Sequence, residues 1–141
     1  MTREHVREVI LEIVPEAAPF VRQLEEEHGE ALLYPLLRDG FADPVVLPAL
    51  KSPAGHEELL TRCFTCVDLG LRSPDKSLND AIWFQVLEPL LDSAELLDAP
   101  YPFMTDDTKD YVFDKLEGFG VVLPPRWAAG KAESLARMAS S

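Results

Sequence analysis

The sequence predicts an all-α fold: a compact antiparallel stack or bundle of six to seven helices, loosely of the helical-repeat kind. Three observations predict it. Apolar residues recur at i, i+3, i+4 and i+7 in most stretches between prolines and glycines. Val45–Val46–Leu47 has strand-like composition, but a single strand without a partner has nowhere to place its hydrogen bonds. Helix pairs also follow one another at intervals of about 35–40 residues, without a repeated motif. A chain of 141 residues buries roughly two-thirds of its unfolded surface, so it folds without a metal or a disulfide.

The first helix spans Thr2 to Val14. Val6, Val9, Ile10, Ile13 and Val14 share one face, Arg3, Arg7, Glu8 and Glu12 take the other, and Thr2 is placed to cap the start. Pro15 opens a second helix to His28, with Phe20, Val21 and Leu24 inward and Gly29 as its stop. Glu25, Glu26 and Glu27 crowd its C-terminal end, where the helix dipole disfavours them. Between Glu30 and Lys51 the leucines keep a helical period, while Pro35, Gly40, Pro44 and Pro48 punctuate it. The expected form is a helix-turn-helix broken near Asp39–Gly40 and Asp43–Pro44.

Ser52–Pro53 predicts a cap and first turn for the next helix, whose inner stripe is Leu59, Leu60, Cys63, Phe64, Val67 and Leu71. Gly70 and Ser73–Pro74 are expected to end it. Ser77 and Asp80 stand at capping-box spacing. The uncharged run from Ala81 to Leu87 marks a buried helix, which Pro89 should kink or end. Asp92 to Phe103 is turn-rich. Thr105 caps a last firm helix, Asp106 to Glu117, with Tyr111, Val112, Phe113 and Leu116 inward, and Gly118 and Gly120 terminate it. One domain is expected over 1–125. Residues 126–141 form a weakly basic tail, helical over Lys131–Met138 at most and frayed at Ser140 and Ser141.

The formal charge is −12 and it is unevenly spread. From Phe119 onward Arg126, Lys131 and Arg137 outweigh Glu133, a net of +2, so the rest carries −14. Such a body repels nucleic acid and anionic membrane and attracts a basic protein partner. No apolar run approaches the ~20 residues that cross a bilayer. The N-terminus mixes acidic with basic residues, unlike a secretory or transit signal. A cytoplasmic location is expected. Two cysteines three residues apart inside a helix suit a reducing compartment and a packing role.

No catalytic pattern, cofactor motif or metal motif stands out. The Cys63–Cys66 pair lies well inside a helix rather than at its N-terminus, where the dipole would activate a thiol, and it lacks the further ligands zinc requires. His5, His28 and His56 stand apart from any nucleophile motif. The concentrated feature is acidic: Asp80 to Gly118 holds ten carboxylates against Lys109 and Lys115, net −8. Asp106, Asp110 and Asp114 share one helical face and Asp107 flanks it. Three roles fit: a solvated helix face, a divalent-metal site, which a regular helix serves poorly, or a docking surface. In the docking reading Asp92, Glu95, Asp98, Asp106, Asp107, Asp110 and Asp114 meet a basic partner, with Tyr101 and Phe103 as aromatic anchors.

Ser73–Pro74–Asp75, Asn79, Ala81–Ile82 and Leu87–Glu88 form a signature: an apolar helix, a polar turn, then an Asn-x-Ala-Ile helix closing on Leu-Glu. Over roughly a third of the chain it resembles a group of small all-helical bacterial proteins of unassigned function, which resemble immunity proteins of polymorphic toxin systems. Tyr34 to Pro53 and the segment after Gly118 lie outside the match. The resemblance implies a non-catalytic all-α domain that neutralises a cognate toxin. The alternatives are a helical adaptor or regulatory protein with another partner, and an enzyme using clustered carboxylates with a metal.

Overall fold

Turn chemistry and apolar period act together from the first residues of the computed structural model, which describes residues 1–140. Helix α1 (Val6–Ile13) buries Val6 and Ile10. Thr2 lies outside the helix, and its hydroxyl meets the His5 ring 2.8 Å away instead of capping it. Helix α2 (15–28) opens with the 3₁₀ turn Pro15–Ala17 and continues as Ala18–His28. Gly29, at φ 84°, ends it in the left-handed region that glycine enters without strain. Arg7 grips Glu25 through two hydrogen bonds of 3.0 and 2.9 Å, joining α1 to α2.

Helix α3 (33–51) departs from the expected helix-turn-helix. It runs unbroken through α-helical Leu33–Leu37, π-helical Arg38–Val46 and α-helical Leu47–Lys51. Proline forbids the ordinary helical turn, because it lacks an N–H and its ring strikes the carbonyl four residues back. The chain widens where Pro44 sits rather than breaking, and the Leu47 N–H reaches the Ala42 carbonyl five residues behind. Gly40 allows the close approach of α2: a Cβ there would stand 3.2 Å from a Val21 methyl.

Helix α4 (Glu57–Leu71) starts at His56 without a side-chain cap. Ser52 and Pro53 belong to the preceding turn, where the Ser52 carbonyl lies 2.6 Å from His56 Nδ1. Arg62 ties α4 to the α1–α2 junction, donating to Glu16 at 2.7 and 2.6 Å and to the Ile13 carbonyl at 3.1 Å. Its hydrogen bonds to Glu16 and Glu58 raise the Arg62 pKa. Cys63, in the expected stripe, and Cys66, outside it, are both buried free thiols, in keeping with the packing role expected of the pair, and burial pushes each up to about 12. Gly70 lies within the helix instead of ending it, and a Cβ there would come 2.9 Å from Ile82.

Helix α5 (76–92) passes through α-helical Lys76–Ile82, π-helical Trp83–Leu87 and 3₁₀ Glu88–Asp92. The widening precedes Pro89, which would otherwise meet an α-helical carbonyl, and the Glu88 N–H bonds back to Trp83 O. Its cap is Asp75, which accepts from the Ser77 and Leu78 amides, so the expected Ser77–Asp80 box does not form. Asn79 faces back to α4 and donates to the Gly70, Leu71 and Ser73 carbonyls, satisfying that helix's last acceptors. The core runs through Leu60, Cys63, Phe64, Val67, Leu78, Ala81, Ile82, Trp83, Val86 and Leu87. Phe84 alone of the uncharged run is markedly exposed.

Within the stretch read as turns, Ser93 caps a short helix α6 (Ala94–Asp98), and Tyr101–Phe103 forms a 3₁₀ turn. Helix α7 (Asp106–Gly118) begins at Thr105, whose hydroxyl accepts from the Thr108 amide at 3.1 Å. Gly120, at φ 65°, turns the chain after it. Helix α8 (Pro125–Ser140) is twice the length the sequence suggests. It is part of the fold: Trp127 is fully buried and its indole N–H donates to the Leu97 carbonyl at 2.9 Å. Ser140 is the last helical residue, and Ser141 lies outside the described residues. The described chain is all-helical, with eight helices and no strand, and no helix is long and apolar enough to cross a membrane.

Candidate docking cleft and the acidic segment

The acidic segment hangs on one buried carboxylate. Asp68 of α4, only 8% exposed, accepts from the Thr105 hydroxyl at 2.6 Å and the Thr108 hydroxyl at 3.1 Å. Its other oxygen meets Arg72 at 2.8 Å, and Arg72 reaches on to Asp107 at 2.9 Å. Asp68 therefore fixes the start of α7 against α4. Nothing in its sequence neighbourhood, a carboxylate one residue beyond the apolar stripe, distinguishes it from a surface position.

The predicted acidic residues divide into two groups. The first lies on α7 and, apart from Asp114, is matched by cations of the chain's own. Asp106 and Asp110 share a face, as their spacing requires, and that face is turned to α8: Arg137 lies 4.0 Å from Asp106 and 3.8 Å from Asp110. The Ser134 hydroxyl donates to Asp110 at 2.5 Å, and Lys131 pairs with Glu117. Asp114, exposed and without an ion pair among the described residues, lines a hollow of about 120 Å³ between the two helices with Phe113 and Leu135. Asp107 points the other way, to Arg72.

Tyr101 likewise turns inward. It packs edge-on against Trp127 with ring centroids 5.0 Å apart, and its hydroxyl lies where a Cβ on Gly130 would fall. Lys109 sits 4.2 Å over its ring. Burial raises the phenol's pKa, and the nearby Glu133 and Asp106 carboxylates add to the shift.

The second group opens on a cleft of about 490 Å³. Glu95 and Asp98 come from α6, Pro102 and Phe103 from the 3₁₀ turn, Pro53 from the turn before α4, Glu57 from the start of α4, and Arg126 from the first turn of α8. Arg126 pairs with Asp98 at 3.2 Å, and Glu57 accepts from the Gly55 amide at 2.9 Å. Glu95 has no ion pair among the described residues and also borders a neighbouring hollow of about 410 Å³ beside Leu50 and Lys51. Three carboxylates and one guanidinium leave this apolar-floored cleft electronegative. Asp92 is exposed at the end of α5, outside the cleft lining.

Sequence spacing links Glu95 with Asp98, one helical turn apart, but not Glu57 or Arg126, which the fold brings from distant stretches. Among the described residues no three His, Cys, Asp or Glu side chains converge to hold a metal ion. The α7 carboxylates instead turn to Arg72, Arg137, Lys131 and solvent. No family model, curated protein or solved structure matches this chain.

Proposed function

We propose that this protein is a non-catalytic protein-binding module of the immunity type, which neutralises a basic cognate toxin by holding it at an acidic cleft. The observation that carries the reading is the convergence of Glu57, Glu95 and Asp98 around Phe103 in a cleft of about 490 Å³. A lysine or arginine side chain can lay its methylene stem along Phe103 and Pro102 and present its charge to the carboxylates. The excess of negative charge over the body, −12 for the chain, speeds the encounter with a basic partner. The resemblance of Ser73–Glu88 to a bacterial group that itself resembles immunity proteins supports the same reading.

The test is co-expression and pull-down with the product of the adjacent upstream gene. Binding and rescue from toxicity are expected. Glu57→Lys with Glu95→Lys should slow association about tenfold and flatten its dependence on salt, with a stability loss of about 1–2 kcal/mol from the helix dipoles and the Gly55 contact. A partner bound and neutralised equally well by the double variant would overturn the cleft as its seat. Absence of any binding or rescue would overturn the immunity reading.

A further inference from the structure

The docking cleft does not end at its own rim. Glu95 lines both it and the hollow of about 410 Å³, so the two openings adjoin. Each has an apolar floor: Phe103, Ala99 and Pro53 in the cleft, Leu50 and Leu96 in the hollow. Their free charges are opposite in sign. Glu57 and Glu95 stand at the cleft without an ion pair among the described residues, whereas the hollow is bordered by Lys51, from the last turn of α3. Of the chain's 13 lysines and arginines, Arg22, Lys51 and Lys76 alone make no ion pair or ring contact among the described residues. Lys51 is the one of the three that lines either opening.

We infer that the cleft and the hollow are one groove for an extended segment of the basic partner. A lysine or arginine of that segment enters the cleft, an aliphatic side chain beside it covers Leu50 and Leu96, and a carboxylate beyond pairs with Lys51. Alternate side chains of an extended chain face the same way, so positions i, i+2 and i+4 reach successive parts of such a groove. On a body of net charge −12 a partner's carboxylate is generally repelled, and Lys51 is where it is met. Lys51 therefore selects one basic segment among many, a choice that the excess of carboxylates cannot make. The inference rests on the cleft reading above and names the segment that the cleft takes.

The probe is a peptide with Arg, Leu and Asp at alternate positions separated by Ser, capped at both ends and carrying an uncharged coumarin. It is made in both chain directions, since an extended backbone can cross a groove either way, and the tighter binder is the parent. Companion peptides carry Asn or Lys in place of Asp, Ser in place of Leu, and Gln in place of Arg. Anisotropy gives the affinity of each for the full chain, for Lys51→Glu, for Lys51→Met and for Arg22→Glu. The last makes the same charge change as Lys51→Glu on α2, outside both openings. Circular dichroism reports whether Lys51→Glu keeps its fold; if it does not, Lys51→Met carries the test.

The full chain is expected to bind the parent about tenfold tighter than the Asn or the Ser version. Lys51→Met should lose the preference for Asp over Asn, and Lys51→Glu should bind the Lys version tighter than the parent. Arg22→Glu should keep the order seen with the full chain. Equal affinity for the Asp and Asn peptides would overturn the proposal, as would an undiminished preference for Asp in Lys51→Met, or no binding of any peptide. The cleft reading fails separately, if the Gln version binds the full chain as tightly as the parent does.

Discussion

Replacing Asp68 with alanine removes the acceptor for two hydroxyls and the partner of Arg72 in one step. Hydrogen bonds to a charged group contribute about 1.5–3 kcal/mol. The Thr108 hydroxyl, 1% exposed, would be left without its acceptor. Arg72 is more than half exposed, so its share is small. The substitution also relieves the cost of burying a carboxylate, which reduces the sum. A loss of about 2–4 kcal/mol results, or a fall in Tm of roughly 6–12 °C for a domain of this size.

Thr105→Ala loses both the helix cap and the bond to Asp68, about 2 kcal/mol together. Because the two residues act through one contact, the double variant should be less destabilised than the sum of the singles by about 1 kcal/mol. Urea unfolding followed by circular dichroism measures all three. An Asp68→Ala cost below about 0.5 kcal/mol, or strict additivity, would refute the view that this carboxylate holds α7 in place.

The two cysteines should resist a thiol reagent at pH 8 in the native protein and react together on unfolding, since burial holds each thiol protonated up to about 12. With the folded pKa raised from 9.0, their contribution is complete below pH 9 and is lost as pH rises toward 12, where only the unfolded chain ionises readily. Alkaline unfolding at lower pH in wild type than in a Cys63→Ala/Cys66→Ala variant, each referenced to its stability at pH 7, is the expected result. Gly130→Ala would gain about 1 kcal/mol of helix propensity, yet should destabilise by about 2 kcal/mol net because its methyl displaces Tyr101 from Trp127. Adding Tyr101→Phe, which removes the clashing hydroxyl, should restore part of the Tm.

Much of the fold is legible because local chemistry and burial agree. Gly29 ends α2, Thr105 starts α7, and the stripe from Leu60 to Val67 is core, as period and capping rules require. What sequence misses depends on long-range partners. Asn79 reads as an ordinary helix residue, and its role follows from the α4 carbonyls it meets. Asp68 reads as surface, and nothing in the sequence marks Gly130 as the floor beneath Tyr101. The acidic residues of the candidate site are visible as composition, but their division into a self-paired face and an open cleft is set by α8. Little of that helix shows in the sequence because its inward positions, Trp127, Gly130 and Ser134, pass from large to small and end on a polar residue, leaving little hydrophobic signal.

The π-helical turns at Arg38–Val46 and Trp83–Leu87 also bear on how this chain should be aligned with any other. A π turn holds about one residue more than the α turn it replaces, so the halves of α5, with one such turn, are out of step by about 100° on an α-helical wheel, and those of α3, whose nine π-helical residues make about two, by more. A relative with regular α-helices there would match with a gap of one residue inside α5 and of one or two inside α3, and its inward positions would coincide on both sides. The same gap placed in α4 would rotate Cys66, Val67 and Asp68 away from the contacts they now make. Length differences of one residue are therefore informative here, because they are structurally neutral at two places in the chain and disruptive in the helix between them.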